Sequence, residues 1–176
     1  MSRPDPRLVP RLPPARADAR RPGITRSGAR QDVERRPLRL WDAEGRLDHD
    51  AVCRLIDAAE IIVEGRIYES GIRIGGEGHA PHAVFLGTAL LTIDLSRLPI
   101  VDAPVSEALV QRLRDALARD RRTLQPLRDR AWRETARLLG PETPTNLDVT
   151  PTLRARGPAL LVDLDLEGPV ELRAAR

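Results

Sequence analysis

Apolar side chains are sparse over the first 37 residues and then recur with two distinct periods. Val52, Leu55, Ile56, Ala59 and Val63 fall on one stripe at helical spacing, which predicts a helix from Asp48 to Glu64. Asp48 is its expected N-cap, Leu47 can staple onto Val52, and Gly65 stops it. Residues 61–68 also suit a strand because of their β-branched run, and both assignments stay open. Arg66 to Ile74 reads as a strand. Ala83 to Leu95 is the strongest strand of the chain. Its one face holds Ala83, Phe85, Gly87, Ala89, Leu91, Ile93 and Leu95, and its other face is apolar as well until Thr92. Such a strand belongs in the centre of a sheet or under a helix.

Val105, Ala108, Leu109, Leu113, Ala116 and Leu117 trace a second helix, opened by Pro104 in its first turn. Pro126 breaks or restarts it, and a further helix carries Trp132, Thr135, Ala136 and Leu139 up to Gly140-Pro141. Ala159 to Glu167 alternates as a strand. Gly168-Pro169 then reads as a turn into a short Val170–Leu172 strand, a hairpin with one wet face. Leu38 to Trp41 suits a short strand, followed by a turn at Asp42–Gly45. The pattern predicts an α+β fold: a small, mainly antiparallel sheet packed against two or three helices. Its expected limits are 38–176, with 141–158 an internal linker before the C-terminal hairpin.

Composition separates this body from what precedes it. Residues 1–37 hold seven prolines, ten arginines and four acids, a net +6, whereas 38–176 carries 19 arginines and 22 acids, a net −3. A segment so poor in apolar groups and so rich in proline is expected to be a disordered tail. Arg3, Arg7, Arg11, Arg16, Arg20 and Arg21 are its candidate partner-binding residues. All 29 basic residues are arginine, a bias expected of a bacterial genome rich in arginine codons. Cys53 is the only cysteine, so no internal disulfide forms. No apolar run reaches membrane-spanning length and no secretory signal is legible, so the expectation is a cytoplasmic protein with no membrane span.

Few constellations carry chemistry. His79 and His82 stand three apart in a glycine-rich loop with Glu77 nearby, the beginning of a metal site that lacks further ligands. The glycines at 71, 75, 76 and 78 lack the Gly-Lys-Ser/Thr ending of a phosphate loop, and a strand rather than a helix follows them. No cofactor motif is present. Asp42–Asp48 resembles part of a calcium loop, but Leu40 and Ala51 occupy the two anchoring positions. Asp163, Asp165 and Glu167 line one strand face, as solvent-facing edges often do. Cys53 near the helix stripe reads as a small core residue. Residues 104–139 hold nine arginines against five acids, which suits either a salt-bridged helical surface or contact with nucleic-acid phosphates.

The order helix, strand, loop, strand, helix over 50–120 resembles gas-vesicle shell and minor shell proteins. Ile61-Ile-Val-Glu-Gly65-Arg-Ile67-Tyr-Glu-Ser70 is similar to the family's first shell strand, and Leu86-Gly-Thr-Ala-Leu-Leu91 to its second. The strand-connecting loop is longer here than the family's tight turn, and the tail and C-terminal hairpin have no counterpart. The resemblance implies a minor shell component.

With no catalytic constellation, the expected role is a non-enzymatic accessory or structural subunit of a larger assembly, docking through its tail and helical face. Its partners would be proteins or further copies of itself. The alternatives are a basic nucleic-acid-binding accessory protein, the gas-vesicle-like shell component, and a small metal-dependent enzyme using His79 and His82.

Overall fold

The computed structural model describes residues 23–27, 36–70 and 82–171. Their elements run in the order β1 (Gly23–Ser27), α1 (His49–Ala58), β2 (Glu60–Ser70), β3 (His82–Asp94), α2 (Glu107–Arg119), α3 (Leu124–Leu139), β4 (Asp148–Arg156) and β5 (Ala159–Val170). The strands form one five-stranded sheet in the order β1-β2-β3-β5-β4, antiparallel throughout. The expected α+β architecture is therefore the observed one.

Local chemistry fixes the helix starts. Asp48 accepts a hydrogen bond from the Ala51 N–H at 3.1 Å and caps α1. Ser106 does the same for α2 through the Leu109 N–H, so that helix starts after Pro104 rather than on it. Pro126 is the third residue of α3, where its missing N–H would have had no helical acceptor. At Asp42, Oδ1 accepts from the N–H groups of Glu44 and Arg46 and closes the turn that precedes α1.

Residues 61–68 are strand, and α1 ends at Ala58. Their period of two places Ile61, Val63 and Ile67 on one face, fully buried against Leu91, Ala89 and Phe85 of β3. Four further expectations are corrected. Gly23–Ser27, inside the segment expected to be tail, pairs with β2 from Gly23↔Gly65 to Ser27↔Ile61. Residues 141–158, expected to be linker, contain the edge strand β4. Pro151 is tolerated there because an edge strand leaves half of its backbone groups outside the ladder. The hairpin turn is Gly157-Pro158, with Gly157 at φ 58°, while Gly168-Pro169 runs inside β5. A two-residue hairpin turn of this kind needs a positive φ in its first position, which glycine supplies without strain. Leu38 to Trp41 is not a strand but contributes single bridges, Leu38↔Ile100 and Trp41↔Leu47.

The sheet has two unlike faces. Phe85, Leu91, Ile93, Leu160, Val162, Leu164 and Leu166 point inward and join Leu55, Ile56, Leu109, Leu113 and Leu127 of the helices in one core. Leu161 points the other way. It is buried but lies outside that core.

Candidate functional site

The outward sheet face carries the first candidate surface. The pairing Ile62↔Leu90, Arg66↔Leu86 and Tyr68↔Val84 sets Ile62, Leu90, Leu86 and Val84 side by side across β2 and β3. Leu86 is 42% exposed, unusual for leucine at the middle of a sheet. The neighbouring strand places Asp163 beside Leu90, Asp165 beside Thr88 and Glu167 beside Leu86, with Asp148 of β4 opposite Glu167. Asp163 pairs with Arg154 at 2.8 Å. Asp165, Glu167, Asp148 and Glu64 make no ion pair among the described residues. Directly opposed acids such as Asp148 and Glu167 repel each other and favour a cationic neighbour. The alternating acids of β5 thus stand on one face as the sequence pattern implies, beside apolar side chains from strands far away in the chain.

The second surface is a groove of about 420 Å³ between the 41–47 turn and α2. Arg46, Arg112, Arg119 and Arg122 line it, and Asp120 is its one carboxylate. The Arg112 guanidinium lies 3.7 Å from the centre of the Trp41 ring. Arg119 Nε donates to the Asp115 carbonyl at 3.1 Å. Arg122 grips both Asp120 oxygens through Nε and Nη2, at 3.0 and 2.8 Å to Oδ1 and Oδ2. That hydrogen-bonded pairing holds the Asp120 carboxyl below the usual range and raises Arg122 further.

The nine arginines of 104–139 therefore do not act as one surface. Arg114 pairs with Asp115, Arg122 with Asp120, Arg133 with Asp57 and Arg137 with Glu134. Arg130 is 7% exposed and donates to the carbonyls of Asp57 and Ala59, both at 3.0 Å. Burial is the main force lowering its pKa, followed by the Arg133 charge. Sequence spacing hinted at the groove, since Arg112, Ala116 and Arg119 share a helix face. Trp41 lies seventy-odd positions earlier and gave no sign of meeting Arg112.

The remaining candidates fall elsewhere. Arg3, Arg7, Arg11, Arg16, Arg20, Arg21 and His79 lie outside the described residues, and His82 is the first residue of β3, with its side chain also outside them. Among the described residues no group of three or more His, Cys, Asp or Glu is placed to hold a metal. Nor is any helix there long and apolar enough to cross a membrane. Cys53 is half-buried on α1, its Sγ 4.0 Å from His49 Nε2. Burial, then the Asp57, Asp50 and Asp129 charges, raise its pKa above the 9.0 of an ordinary thiol. The folded chain then holds the thiol proton to higher pH than the unfolded chain. Alkylation of Cys53 in the native protein at pH 8 is expected to be several-fold slower than in denaturant, with its rate still climbing above pH 9. A pH–rate profile with iodoacetamide checks this.

The described chain is thus a one-layer antiparallel sheet, helices on one side and on the other a surface of apolar and acidic side chains with Arg66, Arg154 and Arg156 among them. No protein-family model, no curated protein and no solved structure matches it. The likeness of residues 50–120 to gas-vesicle shell proteins rests on element order and residue types alone.

Proposed function

We propose that this protein is a non-enzymatic assembly subunit that self-associates. In this reading, the arginine-rich segment 1–22 of one copy lies on the outward sheet face of a second copy. The observation that carries it is the acid group Glu64, Asp148, Asp165 and Glu167, which makes no ion pair among the described residues, set against the exposed Leu86. Residues 1–22 hold six arginines against two acids, with Leu8, Val9 and Leu12 among them. Their charge complements that face, and their leucines and valine suit its apolar half. Reach is ample: 22 extended residues span roughly 70 Å, while five strands make a sheet only about 20 Å wide. Segment 1–22 also leads directly into β1, the edge strand of the same sheet. Reciprocal exchange between two copies closes a symmetric dimer.

The test is light scattering coupled to size-exclusion chromatography on the full chain. A dimer or higher oligomer is expected at low salt, loosening at about 1 M salt as the charge pairs are screened. Asp165→Arg/Glu167→Arg is expected to weaken association by about tenfold or more, the size of effect that losing more than one close charge pair produces. A monomer under all conditions overturns the proposal, because it leaves the segment free or seated on its own sheet. An oligomer indifferent to the charge reversal overturns it equally.

A further inference from the structure

The arginine groove lies on the helical side of the molecule and plays no part in that self-association. We infer that it is a binding site for a ligand bearing two or more adjacent phosphate groups, recognised by Arg46, Arg112, Arg119 and Arg122.

Charge balance is the first ground. Four guanidiniums line a groove whose one lining carboxylate, Asp120, is engaged by two nitrogens of Arg122. Asp42 and Asp48 nearby also act on Arg122, which leaves Arg46, Arg112 and Arg119 as the excess cations. Arg46 and Arg112 have no carboxylate partner among the described residues. Three other arginines of the helical layer do: Arg114, Arg133 and Arg137 each face an acid. Like charges gathered in this way repel unless an anion sits between them.

The second ground is preorganisation. Arg112 is stacked on Trp41, Arg119 is tethered to the Asp115 carbonyl, and Arg122 is fixed by Asp120 with its Nη2 also reaching toward the Leu47 carbonyl at 3.4 Å. Each tether restricts a long side chain before any ligand arrives, so less rotamer freedom is lost on binding. The stacking of Arg112 uses the face of its guanidinium and leaves the edge N–H groups to donate. Planar forks of this kind suit the paired oxygens of a phosphate.

The third ground is size and charge number. A single carboxylate or monoanion would balance one of the excess cations and leave the others facing each other. Neighbouring phosphates supply several charges within one small ligand. A volume of about 420 Å³ lies within the range of small-molecule sites. Arg112 already covers one face of Trp41, which disfavours base stacking there. Recognition therefore rests on the phosphates, whether they belong to a free oligophosphate or to a polynucleotide backbone.

Isothermal titration of the full chain at low ionic strength tests this, with inorganic tripolyphosphate in one arm and a short DNA duplex in the other. Arg112→Glu/Arg119→Glu is compared with Arg97→Glu/Arg156→Glu, which changes net charge equally at residues outside the groove. The groove variant is expected to lose affinity by about tenfold or more, and the control by less than about twofold. Groove-dependent binding of tripolyphosphate identifies the free-ligand source. Groove-dependent binding of the duplex alone identifies the polymer. If the wild type binds neither, the inference is overturned. It is overturned too if both variants bind alike, since segment 1–22 or general charge would then be the binder. Should the glutamate variant fail to fold by circular dichroism, the glutamine pairs at the same positions read out the same comparison. Because the groove variant leaves the outward sheet face intact, failure here is distinct from failure of self-association.

Discussion

Phe85→Ala is expected to lower the unfolding free energy by about 4 kcal/mol, read as a shift of the urea midpoint at constant slope. Phe85 is fully buried and is the only phenylalanine in the chain. Its ring lies across a row of glycines created by strand register: Gly23 pairs with Gly65, and Gly65 with Gly87. A Cβ on Gly65 would overlap the Phe85 ring, and one on Gly87 would stand 2.5 Å from the Glu64 carbonyl and 2.7 Å from Phe85 Cζ. Leu138 of α3 closes the same row over Gly23. The glycines thus form a trough, and the ring fills it. Deleting the ring leaves a void that rigid strands cannot collapse. The converse substitution, Gly65→Val, is expected to cost more than about 3 kcal/mol because the ring has nowhere to go. The two changes should couple. In the Phe85→Ala background Gly65→Val partly refills the void, so the double variant should be less destabilised than the sum by about 1–3 kcal/mol. Strict additivity would show that the ring and the glycine row are independent.

Arg130→Ala is expected to cost about 3 kcal/mol, measured in the same way. Arg130 reaches from α3 to the carbonyls of Asp57 and Ala59, where α1 ends and β2 begins. Those carbonyls lie at the negative end of α1, and a cation there is favoured both by the dipole and by direct hydrogen bonds. Alanine removes two charge-assisted bonds and strands two acceptors in a largely buried junction. Arg130→Lys should recover part of the loss, since an ammonium keeps the charge but not the fork. The neighbouring Arg133 provides the contrast. Its ion pair with Asp57 is about half exposed on both sides, and Arg133→Ala is expected to cost under about 1 kcal/mol. If the two alanine variants lose equal stability, Arg130 is not the anchor its burial implies.

These two residues also mark how far the sequence could be read. The Asp48 cap, the Val52, Leu55 and Ile56 part of the α1 stripe and the two-faced β3 strand were legible because each depends on neighbours within a few positions; Ala59 and Val63, read onto the same stripe, lie past the helix end. Strand β1 was not. Ile24 is its one large apolar side chain, and the prolines and arginines around it carry a composition that ordinarily cannot fold by itself. It is ordered by a partner forty positions away. Strand β4 was hidden in the same way, since Pro151 and the threonines resemble a linker until an edge position accounts for them. Arginine was the least legible residue type. A guanidinium that caps a helix end, one that stacks on tryptophan and one that pairs with an acid differ only in what the fold brings near them. The acid face of β5 was readable as a period of two, but its apolar border comes from β2 and β3 and required their register.

The strand order has a consequence for biosynthesis. The partner of β3 on its inner side is β5, so Ala83 waits for Val170 and Asp94 for Ala159. While the chain emerges from the ribosome, β1, β2 and β3 can pair as soon as they are made. One long flank of β3 then stays bare through the synthesis of both following helices and β4. That flank belongs to the most apolar strand of the protein, the kind of open edge that recruits other nascent chains. A stalled or truncated product ending before residue 159 should therefore be the aggregation-prone species, and rapid completion of the C-terminal hairpin the step that protects the newborn protein.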